Sequence, residues 1–443
     1  MSVTARLLRL AIPIAGLHLL NALVLTVDVA VVGRIDGGQE ALTALGFASE
    51  LLFLLMVGAI GLGVGVVALI SRAWGTKDAL ETAGLAQEAI NITWLLGIAV
   101  AGLGNLLAVW ALRILQADES TIEAALPYLR PMLAGAVLAY LNITLAAILR
   151  GAGNTVLAFG IALGVVGLNI ALDIGLVLGR FGLPRMGVEG AAYASLIAQG
   201  AGVLTYLVAT RLWEKSPLLL TALPRFPTHT IRELWRVSRP AMLDLMILEI
   251  GFFGMVAMLG YIDQRAVAAH TVGMRIHTLA FLPGLALMEA SATLVGGAIG
   301  VDDHRTVRRI LLRNCRLCIG IQTVLAAVML SMTGPLVATF GIAPESPSWS
   351  YTHDWIRILA AGMPITGAYL ACLGTLQGLA LTSTAFRINL LSSILVQLPL
   401  GFLLAFAFHL GAVGVWLAFP IAYVPRLLLS WWALRSGDFL SRK

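Results

Sequence analysis

The stretch Ile12-Pro-Ile-Ala-Gly-Leu-His-Leu-Leu-Asn-Ala-Leu-Val-Leu-Thr-Val-Asp28-Val-Ala-Val-Val32 decides the fold. It is long enough to cross a hydrocarbon core, which takes about 20 predominantly apolar residues. It nevertheless contains Asp28, with almost nothing nearby to neutralise it. A carboxylate in hydrocarbon costs at least about 2.5–3.5 kcal/mol on insertion scales. Chains keep such a residue where it faces a bundle interior or a wet cavity, so Asp28 is read first as functional. The plainer alternative places it close enough to the membrane surface to be solvated.

The rest of the chain agrees with a membrane setting. Hydrophobic residues make up 59% and charged residues 12%, with a mean hydropathy of +0.92. A soluble domain carries about 25% charged residues. The apolar runs suit helices and lack the short alternating pattern of an outer-membrane barrel. The two arginines before the first run superficially suit a signal peptide. That run is too long, and no small-residue cleavage site with a polar region follows, so it is expected to be a retained helix. The net charge of +6 does not argue for nucleic acid, because the basic residues cluster in short loops between apolar runs. Such loops are expected to face anionic lipid on the cytoplasmic side. The three cysteines exclude a disulfide framework, and Cys315 and Cys318 read as small packing residues at the start of an apolar run.

Twelve apolar spans are expected near 11–33, 42–71, 85–112, 127–149, 156–178, 188–210, 235–260, 267–298, 310–333, 355–377, 386–407 and 412–434. The longest polar stretch, with Pro217, Pro224 and Pro227, separates the sixth from the seventh. The expected organisation is an N-terminal six-helix bundle over 1–210, a cytoplasmic linker over 211–234 and a C-terminal six-helix bundle over 235–443. Placing both termini inside leaves most Lys and Arg in cytoplasmic segments; the inverted topology reverses the bias.

The halves repeat. One constant offset lays Pro13, Gly33, Ile35, Asp36 and Gly46 on Pro240, Gly260, Ile262, Asp263 and Gly273. The same offset lays Arg130, Gly151, Thr155 and Phe159 on Arg357, Gly378, Thr382 and Phe386. With a small gap, Gly75 and Asp78 match Gly300 and Asp303. An even number of spans per half makes the repeats run the same way through the membrane, and substrate sites in such transporters lie near the repeat interface.

Topology then supplies Asp28 with neighbours. The first and fifth spans run outward, with Asp28 and the pair Asn169 and Asp173 in their outer halves. Residues four apart share a helix face. The sixth span runs inward, so Ser195 comes about two turns below the outer surface. Asn21 precedes Asp28 by two helical turns, on nearly the same face. Two carboxylates with amide and hydroxyl oxygens suit a hard cation, Na+ if the site takes a metal. They equally suit a proton, because closely spaced carboxylates cannot both ionise easily in low dielectric. A polar cluster that only pins helices together is the structural alternative. Candidate substrate contacts are Asp28, Asn21, Tyr140 and Glu249; Glu249 is preferred over Asp244 for its mid-membrane depth.

These residues resemble the multidrug and toxic compound extrusion (MATE) family, in its bacterial DinF-like branch. The segments that carry the resemblance are Leu23 to Asp36, Leu149-Arg-Gly-Ala-Gly-Asn-Thr155, Asn169 to Gly179 and Gly187 to Ser195. The resemblance implies an all-α polytopic membrane protein with twelve helices in two pseudo-symmetric bundles flanking a central cleft. It implies cation-driven (H+ or Na+) efflux of amphipathic, often cationic drugs. Asp28, Asn169 and Asp173 fall on the family's ion-coupling positions. Ser195 stands where a hydroxyl, commonly Thr, is found. Glu249 resembles an acid of the NorM-like and eukaryotic branches that the DinF-like branch usually lacks.

The expected protein is thus a monomeric antiporter of the bacterial cytoplasmic membrane with small amphipathic substrates. It is not an enzyme, and it needs no cofactor beyond the coupling ion. A lipid-linked oligosaccharide flippase of related architecture is the alternative, followed by an integral membrane enzyme. The acidic N-terminal site disfavours the first, and the absence of HExxH or GxSxG disfavours the second.

Overall fold

The computed structural model describes residues 2–35, 38–115, 117–213, 228–340 and 342–436. Asp36 of the repeat and residues 214–227 of the expected linker lie outside them. The described chain is almost entirely helical. The first part contains α1 (Val3–Val32), α2 (Gly38–Thr76), α3 (Ala79–Ile114), α4 (Glu119–Ala134), α5 (Ala136–Gly151), α6 (Thr155–Leu178) and α7 (Gly187–Leu212). The second contains α8 (Thr228–Ile262), α9 (Gln264–Gly300), α10 (His304–Ser331), the short α11 (Thr333–Ala338) and α12 (Pro347–Gly378). Next comes α13 (Thr382–Leu390), then α14 (Leu398–Phe402) between two π-helical segments, Leu391–Gln397 and Leu403–Ala407. Last is α15 (Gly411–Ser436).

Among the described residues, eleven helices are long and apolar enough to cross a membrane, and twelve spans result if α4 and α5 count as one. That pair corrects the expected continuous span over 127–149. The helix breaks at Gly135 and its two parts bend by 52°. The close approach of α7 accounts for a glycine there: a Cβ on Gly135 would overlap the Leu196 side chain.

The chain divides into two compact units, residues 16–238 and residues 1–15 with 239–443. Leu7, Leu10 and Ile14 of α1 explain the second grouping, since they share a buried core with Ala286, Leu287 and Ala290 of α9. Within the unit 16–238, Val32, Tyr128, Leu129 and Leu133 are buried in one core. The offset that lays Pro13 on Pro240 carries these four onto Leu259, Trp355, Ile356 and Ala360, which are buried in a core of the other unit. The repeat seen in sequence is therefore a repeat of packing positions.

It is also a repeat of turns. Asp78 caps α3 by accepting from the amides of Leu80 and Glu81, and Asp303 caps α10 by accepting from Thr306. Each follows a residue of positive φ, Lys77 at 61° and Asp302 at 56°. Gly153, at φ 80°, has its counterpart under the same offset in Ala380, at φ 58°. The glycine suits this left-handed turn; the alanine is strained by about 1–2 kcal/mol.

Helix packing inside the second unit relies on small residues, as expected where lipid removes the hydrophobic drive between helices. A Cβ on Gly374 of α12 would collide with the Met288 carbonyl of α9.

Candidate ion-coupling site

Four of the sequence-predicted residues converge in the unit 16–238. Asp28 comes from α1, Asn169 and Asp173 from α6, and Ser195 from α7. All four are buried, Asp173 completely. The one-turn spacing of Asn169 and Asp173 puts both on the buried face of α6. Asn169 Nδ2 donates to Ser195 Oγ at 3.2 Å, tying α6 to α7. The Asp28 and Asp173 carboxyl groups lie within hydrogen-bonding reach of each other.

That last contact has a chemical requirement. Two carboxylates are acceptors only, so they approach with a shared proton or with a cation between them. Among the described residues, no donor reaches Asp28 Oδ1, either oxygen of Asp173, or Asn169 Oδ1. Buried acceptors without donors cost about 1–3 kcal/mol each, more when charged. This chemistry suits a positive species. Its four oxygen-bearing side chains supply hard ligands of the kind an alkali or alkaline-earth cation uses.

Sequence reasoning missed Tyr128 on α4. It is buried and feels the charge of both Asp28 and Asp173. The signal was the repeat itself, which pairs it with Trp355, another large aromatic in the matching core.

The remaining candidates are placed differently. Asn21 is exposed and stands two turns from Asp28 along α1, about 10 Å by helical rise. Tyr140 is buried, and its hydroxyl donates to the Leu55 carbonyl of α2. Glu249 belongs to the second unit, where it is half-buried. Asp244, ranked below it from sequence, is the buried acid of α8. Their separation along the helix turns them apart by about 140°, so Asp244 and Glu249 point to different sides.

The second unit shows what the repeat made of the same positions. The offset carries Asp28 onto Met255, and Gln397 stands one position beyond the counterpart of Asn169. The π-helical segment Leu391–Gln397 accommodates the extra position. Gln397 Nε2 lies 3.0 Å from Met255 Sδ. Side chains at these matching places therefore meet in the second unit, with a thioether where the first unit has the acid Asp28.

Two repeated units of membrane-length helices define the class, a multi-pass membrane protein of transporter architecture. The sequence matches the MatE family over residues 13–174 and 240–403, and the chain belongs to that family. A similar relative, described as a probable multidrug resistance protein NorM of Thermotoga maritima, is 26% identical over 98% of this chain and 93% of its own length. The probable multidrug resistance protein YoeA of Bacillus subtilis is 25% identical over 88% of this chain and 85% of its own. A crystal structure of a MATE protein in the bent conformation superposes with a TM-score of 0.92 at 21% identity, covering 99% of this chain and 96% of that one.

Proposed function

We propose that this protein is a cation-coupled antiporter that exports amphipathic, often cationic solutes across the cytoplasmic membrane, with both termini on the cytoplasmic side. The observation that carries the reading is the buried Asp28–Asp173 pair with its donor-less oxygens. Such a pair binds one positive species at a time, a proton or Na+, completed by Asn169 and Ser195. Binding from outside fills the site and favours the state that opens inward. Return of the cation drives the cycle.

The driving force is adequate. A charge moving down the membrane potential contributes about 2.3 kcal/mol per 100 mV. At one-to-one coupling that supports roughly a fiftyfold concentration ratio of a neutral solute. Similarity to relatives described as multidrug resistance proteins supports the substrate class. The test is ethidium efflux from proteoliposomes with Na+ and pH gradients imposed separately. Export driven by either gradient is expected. Export indifferent to both overturns the reading.

A further inference from the structure

The second unit contains a buried cation that the ion-coupling reading does not use. Arg426 lies within α15, only 2% exposed. An ionised side chain inside a membrane span is expensive and marks a substrate or ion pathway by default. Its guanidinium is held in a fixed plane, with its carbon 4.6 Å from the centre of the Tyr423 ring. Nη2 donates to Ser393 Oγ at 2.6 Å and to Gln397 Oε1 at 3.0 Å. Both acceptors are neutral and sit on the π-helical segment.

Among the described residues, no acid cancels this charge by direct contact. Asp244 is the acid whose field reaches Arg426. It accepts instead from Asn389 Nδ2 at 2.8 Å, and Asn389 Oδ1 accepts from the Tyr369 hydroxyl at 2.8 Å. Arg426 Nε has no partner among the described residues, and guanidinium is a donor-only group. Two further buried hydroxyls likewise lack partners there: Ser430, one turn along α15 on the same face, and Ser392, next to Ser393.

The repeat sharpens the contrast. Gln397 occupies the place matching Asn169, and it touches a guanidinium, whereas Asn169 lies on the helix face that carries Asp173. The matching last helix of the first unit, α7, carries no arginine before Arg211 in its final turn. The matching position thus bonds to a cation in this unit and lies on the face of an acid in the other.

We infer that Arg426, with Ser393 bonded to it and Ser430 one turn along its helix face, is an anion-receiving subsite that takes the carboxylate or phosphate of an amphipathic solute. Planar, delocalised guanidinium is the side chain suited to both groups. The inference rests on the exporter reading and narrows it: cargo includes solutes that carry an anionic group beside their apolar and cationic parts.

Two dyes that differ by one group test it. Rhodamine 110 bears a free carboxyl, and rhodamine 123 is its methyl ester. Binding of each to the purified full-length protein in detergent is measured by fluorescence anisotropy. Arg426→Gln is expected to weaken rhodamine 110 about tenfold and leave rhodamine 123 within about twofold, in line with loss of a charge-assisted hydrogen bond. Arg426→Lys should recover part of the loss. Equal weakening of both dyes, or no change in either, overturns the subsite. If Arg426→Gln does not fold, competition on the wild-type protein decides. Benzoate and inorganic phosphate should displace rhodamine 110 and spare rhodamine 123; displacement of both dyes, or of neither, overturns it. The dye-binding comparison is independent of transport. Wild type that separates the dyes by Arg426 but exports neither under any gradient therefore contradicts the exporter reading and not the subsite.

Discussion

At the scale of residues, the proposed coupling turns on two carboxyl groups that cannot both be charged without a cation between them. Asp28→Asn or Asp173→Asn should abolish gradient-driven export, because an amide neither releases a proton nor carries a compensating charge. Ser195→Thr keeps the oxygen that accepts from Asn169 and should retain most activity. Ser195→Ala removes that acceptor at a cost of about 1 kcal/mol, and is expected to lower apparent affinity for the coupling ion several-fold in an ion titration of efflux. Tyr128→Phe tests the residue that sequence reasoning missed: a change in ion dependence shows that its hydroxyl acts on the dyad, and unchanged ion dependence confines it to packing. The acids were legible because intramembrane carboxylates are costly and helical spacing fixes their faces. Tyr128 was not, since an aromatic ring in an apolar segment reads as core until a partner is seen. Arg426 did leave a signal, a lone arginine inside the last apolar span.

At the scale of elements, the repeated turns make predictions about stability. Ala380→Gly relieves a left-handed alanine and loses some chain entropy advantage, so a net gain of about 0.5 kcal/mol is expected as a small rise in Tm in detergent. Gly153→Ala at the matching turn should do the reverse. Asp303→Ala removes the cap of α10 at a cost of about 1 kcal/mol. The Thr306 hydroxyl and amide hold the Asp303 carboxyl below the usual carboxylate range. Its capping contribution is therefore present above the ordinary carboxylate pKa and fades as pH falls through the lowered value. The Tm gap between wild type and Asp303→Ala should accordingly narrow in strongly acidic buffer. Spans were readable from apolar length. The break at Gly135 was not, because the contact that calls for a glycine comes from Leu196, far away in sequence. The π-helical segments were equally hidden, since one inserted position leaves hydropathy unchanged.

At the scale of the whole molecule, the sequence repeat and the packing repeat coincide, while the chemistry does not. Val32 and Leu259, or Tyr128 and Trp355, are interchangeable parts of equivalent cores. Asp28 and Met255 occupy matching places with different chemistry, a buried acid in one unit and a thioether in the other. The scaffold is thus duplicated, while the side chains at matching positions make the units unequal. The constant offset between the halves exposed the duplication. It could not show that Gln397 replaces Asn169, because the extra position falls inside a helix. Gly374→Val, which would push α12 away from α9, should lower Tm sharply without changing which ion is used by the protein that still folds.

The most direct measurement compares wild type with Asp173→Asn in proteoliposomes, under whichever gradient drives wild-type ethidium efflux. The variant is expected to fall to the leak rate of protein-free vesicles while its ethidium binding in detergent stays within a few-fold of wild type. Gradient-driven efflux by Asp173→Asn at the wild-type rate contradicts the claim that this carboxyl couples the cation to export.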